Sequence, residues 1–158
     1  MKKTHADYIR EAVDMAAENA CSGKGGPFGA VIVRDGEVIG RGVNQVTSNH
    51  DPTAHAEVMA IRNACTNINC FKLEGAVIYA SCEPCPMCLS AIYWARISKI
   101  YFAADNTDAS KAGFDDSMIY KEVCLPLDKR AIPIRKISTE IASKPFDAWI
   151  RFEKRMDY

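Results

Sequence analysis

Apolar positions recur at helical spacing over residues 8–21, where Ile9, Ala12, Val13, Ala16, Ala17 and Ala20 fall on one side. A glycine-rich break, Gly23-Lys24-Gly25-Gly26, stops that pattern. Residues 28–33 are then largely apolar, Asp35-Gly36 is a tight-turn pair, and residues 37–43 return, which predicts a β-hairpin. Helical spacing resumes over 54–65. Ala76-Val77-Ile78-Tyr79, within residues 75–81, predicts a short buried strand; residues 85–95 follow as a helix and 99–104 as another strand. Residues 105–128 are polar and turn-rich, with a short helix predicted over 117–123. A last strand is predicted over 132–137. An amphipathic helix is predicted over 145–156, where Phe146, Trp149, Ile150 and Phe152 stand among charges. This order predicts an α/β protein with a mixed sheet covered by helices on both faces.

Composition narrows the picture. At about 150 residues per domain, 158 residues make a single domain, residues 1–158, large enough to bury a core without staples. A hydrophobic share of 48% and a charged share of 25% argue against disorder and long coiled coil. Twenty Lys and Arg balance twenty Asp and Glu, so the basic excess of a nucleic-acid grip is missing and no such partner is expected. The most apolar stretch, residues 87–95, is far short of the roughly 18 residues a membrane span needs. Asp7, Arg10 and Glu11 interrupt any signal-peptide core, and a cytoplasmic protein is expected.

Seven cysteines, an odd count, argue against a disulfide framework in that setting. Cys21, Cys65, Cys70 and Cys124 read as small buried hydrophobes. Cys82, Cys85 and Cys88 differ, because they repeat at every third residue.

Two short segments carry the chemistry. In the first, Asp51 and Pro52 suit a helix start, and His55 and Glu57 then lie near the positive end of that helix. In the second, Cys82-Glu83-Pro84-Cys85-Pro86-Met87-Cys88 follows a strand and opens a helix, which places Cys85 and Cys88 on one helical face. A helix N-terminus favours the thiolate that a metal needs. One imidazole and two thiolates form a soft set suited to zinc, and three protein ligands leave a fourth position for water, as in catalytic sites. Cys82 precedes the helix cap and is expected to point elsewhere. Glu57 is read as the general acid and base that shuttles a proton between water and substrate; alone, it would be read as a charge complementing the helix dipole.

His55-Ala56-Glu57 followed by Pro84-Cys85-Pro86-Met87-Cys88 resembles the signature of the cytidine deaminase-like zinc deaminases. The resemblance covers about residues 5–125. It implies a three-layer α/β/α sandwich, one bound zinc ion and hydrolytic removal of an exocyclic amine. The string from Ser81 to Cys88 with Ala91-Ile92-Tyr93-Trp94-Ala95-Arg96, together with Ala112-Gly113-Phe114-Asp115-Asp116-Ser117 and the final Tyr158, looks most like bacterial guanine deaminases. That implies a purine base as the small-molecule substrate.

The residues offer a partial check on that implication. Guanine presents two adjacent donors on its Watson–Crick edge, which an ionised Asp116, with Asp115 second, can accept; otherwise the pair is a solvated turn. Asn44 offers a donor and an acceptor to the other edge, or caps a turn. Phe28, Trp94 and Tyr158 are candidates to stack on the base or close over it, and the C-terminal segment, about 128–158, to close the site. Trp94 reads equally as core or subunit interface, and Phe28 carries the same ambiguity. Related folds commonly dimerise, and Ile92-Tyr93-Trp94 is a candidate interface for a homodimer. A tRNA adenosine deaminase, another nucleobase or nucleoside deaminase of the same superfamily, and a non-catalytic zinc-stabilised interaction module are the alternative readings.

Overall fold

Helix α1 (His5–Ser22) starts at a capping box: the Thr4 side chain accepts from the Asp7 amide, and the Asp7 carboxylate accepts from the Thr4 amide. The computed structural model describes residues 3–158. Met1 and Lys2, the start of the stretch read above as lacking a signal-peptide core, lie outside the described residues.

Four strands follow in the chain: β1 (Gly29–Arg34), β2 (Glu37–Val43), β3 (Val77–Cys82) and β4 (Lys99–Ala104). They form one sheet in the order β2-β1-β3-β4. Strand β1 runs antiparallel to both β2 and β3, whereas β3 and β4 run parallel. The β1–β2 hairpin turns at Asp35 and Gly36, both at positive φ (55° and 84°), as the Asp-Gly pair predicted.

Alternation along β1 and β3 divides the core in two. Ala30, Ile32 and Ile78 pack on one face with Ala56, Ala60 and Ala64 of α3 (Ala56–Asn67) and Ile92 of α4 (Pro86–Trp94). Val31, Val33 and Tyr79 pack on the other with Tyr8 and Ala12 of α1. The result is the expected α/β/α sandwich. Ile32 and Ile78 are fully buried, each contributing about 1.5–3 kcal/mol of apolar transfer.

One close approach sets the height of α3 above the sheet. A Cβ on Gly42 would run into the Ala56 carbonyl, and one on Gly40 would lie 2.5 Å from the Ala60 carbonyl. The missing side chains let the helix rest on the β2 backbone. The first turn of α3, which carries Glu57, is thereby pinned to the sheet.

Two short helices escaped the sequence reading: α2 (Val46–Asn49) and α5 (Asn106–Lys111). Residues up to Asp116 form one compact unit. Ser117–Tyr158 form a second, with α6 (Ser117–Cys124), a 3-10 turn (Leu127–Lys129) and α7 (Lys144–Arg151). None of the residues of this second unit is buried. The strand predicted over 132–137 is absent: Pro133 cannot donate to a ladder, and these residues pair with no strand. The terminal helix is also shorter than predicted, ending at Arg151. All seven cysteines are free, and Cys21, Cys70 and Cys124 are exposed rather than buried. Among the described residues no helix is long and apolar enough to cross a membrane.

Candidate active site

Two helices begin side by side, and their cap residues face each other. His55 caps α3 and Cys85 caps α4, both in extended conformation. Neither side chain bonds to the amides of its own helix, as a capping serine or aspartate would. Instead, His55 Nδ1 lies 3.6 Å from Cys85 Sγ and 3.5 Å from Cys88 Sγ. Pro86 sits in the first turn of α4, where no amide is needed, and the helical turn carries Cys88 round to the same spot.

These three residues are the metal-capable cluster among the described residues, with all donor atoms within 4.8 Å of one another. Tetrahedral zinc, with Zn–N of about 2.05 Å and Zn–S of about 2.3 Å, sets N···S edges of about 3.5 Å. The observed separations match that figure, and one nitrogen with two sulfurs is the soft set zinc takes. The two thiols differ in how readily they lose a proton. Hydrogen bonds from Cys88 and then His55 hold Cys85 down to about 4, while the bond to Cys85 and burial push Cys88 up.

Glu57 is the buried carboxyl beside this cluster. It is 7% exposed, and its Oε2 accepts from Cys88 Sγ at 3.4 Å. Burial pushes its pKa up, which suits a group that must carry a proton. A charge that merely complemented the helix dipole would sit in solvent.

The cluster and Glu57 line a cleft of about 460 Å³, within the range of small-molecule sites. Phe28, Asn44, Asp115 and Asp116 line the same cleft. Asn44 is 6% exposed, and its Oδ1 accepts from the amides of Gly26 at 3.1 Å and Val46 at 3.3 Å. It therefore does cap a turn, and the oxygen so used leaves its amide N–H groups as the donors available to a ligand. Burial pushes the Asp116 carboxyl up, with the nearby Cys85 adding to the effect.

One predicted residue of the first unit does not line the described cleft. Trp94, the last residue of α4, is 63% exposed and does not line it. It stands at the opposite end of α4 from Cys85. Tyr158 belongs to the second unit, 70% exposed and edge-on to Trp149 at 6.5 Å between ring centroids. Cys82 lines the cleft, but its thiol donates to the Asp105 carbonyl at 3.5 Å and it stands outside the metal cluster, as expected.

Sequence reasoning also missed cleft residues. Phe114 meets Phe28 edge-on at 4.9 Å, brought there by Gly113 at φ 93° and by a bond from its amide to the Ala109 carbonyl at 3.0 Å. Asn106 and Ala109 come from α5, whose Asp105–Asp108 capping box was a readable signal.

Known proteins extend this picture. The family model for the cytidine and deoxycytidylate deaminase zinc-binding region matches residues 2–104, which hold His55, Glu57, Cys85 and Cys88. A guanine deaminase from Bacillus subtilis (strain 168) is 50% identical over 154 residues, covering 98% of this chain and 99% of its own. A tRNA-specific adenosine deaminase of the same organism is 35% identical over 115 residues, 73% of this chain and 71% of its own. The X-ray structure of guanine deaminase from Bacillus subtilis superposes with a TM-score of 0.96 at 49% identity, covering 99% of each chain. That of a guanine deaminase from Nitrosomonas europaea gives 0.68 at 25% identity over 73% of this chain and 66% of that one. The zinc-capable corner, the sandwich beneath it and these matches lead to one conclusion: the chain belongs to the cytidine and deoxycytidylate deaminase zinc-binding family.

Proposed function

We propose that this chain hydrolyses guanine to xanthine and ammonia. The observation that carries the reading is the juxtaposition, in one cleft, of the His55–Cys85–Cys88 cluster, the buried Glu57 carboxyl and a wall bearing Asn44, Asp115 and Asp116. The full-length likeness to a guanine deaminase supports it, since the likeness to the tRNA-specific enzyme spans less of the chain.

His55, Cys85 and Cys88 hold the zinc ion. Bound there, it would supply the Lewis acidity that lowers the pKa of a water molecule to about 7. Glu57 takes a proton from the attacking water and passes it to the ring nitrogen beside the amino-bearing carbon. It then takes the second proton from the hydroxyl newly formed on carbon and gives it to the departing amine, so water's oxygen stays on carbon as the carbonyl and ammonia leaves. Asp116, with Asp115 second, accepts from the ring N–H beside the reacting carbon. Adenine offers an acceptor at that edge and is disfavoured. Asn44 donates to acceptors on the far edge, and Phe28 packs against the base.

Removing Tyr158 should lower guanine turnover with zinc retained, the outcome expected of a residue that excludes water from the bound base, and unchanged turnover would remove that role. The working form is a homodimer, which sedimentation tests; exposed Tyr93 (72%) and Trp94 suit a subunit contact. Seven unpaired cysteines suit a cytoplasmic location.

The test is turnover by purified, zinc-loaded protein on guanine, adenine, cytosine, cytidine and tRNA. Guanine should be converted and the others should be poor substrates, because a site built to bond one edge discriminates by about 10,000-fold. Deamination of tRNA adenosine without activity on guanine would overturn the reading.

A further inference from the structure

Asn19 stands in the last turns of α1 and is 7% exposed, yet it does not line the cleft. Its Nδ2 donates to two carbonyls, those of Gly26 and Asn44, each at 2.9 Å. The same two residues are bonded to each other, since the Gly26 amide donates to Asn44 Oδ1 at 3.1 Å. Phe28 closes the circuit: its amide donates to the Gly26 carbonyl at 2.9 Å, and its carbonyl accepts from the Asn44 amide at 3.1 Å. There is no slack in this knot. A Cβ on Gly25 would run into the Asn44 carbonyl and lie 2.9 Å from Asn19 Nδ2.

Both N–H groups of one buried amide are therefore spent on holding the glycine loop against the end of β2. The helix that presents them is anchored by Tyr8, Ala12 and Ala16 in the core. Clamping the Asn44 backbone from one side and its Oδ1 from the other fixes its side-chain torsions and leaves its amide N–H groups as the cleft's donors. A loop left to itself would spread that amide over several rotamers, each taking a share of its population from the binding geometry.

We infer that Asn19 is a positioning residue for substrate recognition, setting the Asn44 amide from outside the cleft; this rests on the proposed role of Asn44 in holding the base. The side chain must donate twice. Leucine has nearly the same shape with no donor, and serine keeps one donor on a shorter arm.

The test is a double-mutant cycle on zinc-loaded protein with guanine. Asn19→Leu should raise KM about tenfold with kcat within about threefold, the signature of lost ground-state binding, and zinc content should not change. In an Asn44→Ala background most of that loss should vanish, because the group being positioned is already gone. Asn19→Ser should fall between wild type and Asn19→Leu. Losses that multiply fully in the double variant would overturn the inference, as would an unchanged KM. If Asn19→Leu does not fold, the cycle is run with Asn19→Ser and judged by the same criterion. A crystal structure of whichever variant folds gives a readout free of substrate: the Asn44 amide should be displaced, and an undisplaced amide overturns the inference. Wild-type protein inactive on guanine would fault the functional reading alone, since that displacement is still measured.

Discussion

The metal-binding corner and the wall across the cleft from it are built on different principles. His55, Glu57, Cys85 and Cys88 stand on the caps and first turns of two regular helices pinned to the sheet. Cys88 is fully buried and Glu57 nearly so. Asn44 follows β2, and Phe114, Asp115 and Asp116 follow α5 through a positive-φ glycine. Phe114 remains 43% exposed, and Asp115 is exposed. Helical geometry fixes the corner, so its spacing leaves little to vary. Loops form most of the wall, where composition can change without disturbing the sheet. Under the proposed function the contrast separates reaction type from substrate choice: the corner carries hydrolytic deamination, and the wall carries the choice of base.

Substitutions in the two regions should therefore fail in different ways. The largest effect is expected at the corner from Cys85→Ser. It removes a thiolate donor, so zinc content should collapse and turnover fall by more than about 10,000-fold. Metal analysis beside an activity assay checks this, and full zinc with full activity would remove Cys85 from the ligand set. Glu57→Gln separates chemistry from metal holding. Zinc should stay bound, while kcat drops by about 100- to 10,000-fold for lost acid–base catalysis. Near-normal turnover would reduce Glu57 to a helix-end charge. On the wall, Asp116→Ala should keep both zinc and fold. It should lower kcat/KM on guanine by about 10- to 100-fold, the worth of one hydrogen bond to a charged group. If Asp116→Ala instead lost zinc, the separation of corner from wall would be wrong.

The same contrast decides what could be read from the sequence. The corner was legible because a proline at a helix start and a three-residue step put Cys85 and Cys88 on one face, and the resemblance to the zinc deaminase signature paired them with His55. The sandwich was legible for a similar reason, since alternation along residues 28–33 and 76–79 must serve two faces. The wall was only partly legible. Asn44, Asp115 and Asp116 were found through the chemistry of a purine edge, and Phe114 was missed because only the Gly113 turn makes it meet Phe28. For Trp94, helical spacing gives a face but not which neighbour covers it, so its alternative readings stayed open. Residues 132–137 misled, because Ile132 and Ile134, one residue apart, suggest a strand even where Pro133 breaks the ladder.

The smallest effect is expected where the two regions meet. Cys82 lies three residues before Cys85, ends β3 and lines the cleft, which makes it the nearest alternative thiol. Its surroundings argue against a ligand role. Burial raises its pKa to about 11, and its thiol is turned to the Asp105 carbonyl, away from the three-donor cluster. A serine hydroxyl can make the same donation on nearly the same shape. Cys82→Ser should therefore keep its zinc, and turnover should stay within about threefold of wild type, a change under about 1 kcal/mol. The swap of sulfur for oxygen is the one made in Cys85→Ser, so the pair isolates position from chemistry. Parallel zinc titrations of the two variants decide the matter: loss of metal from Cys82→Ser would make the site a four-ligand structural centre and leave no position for water.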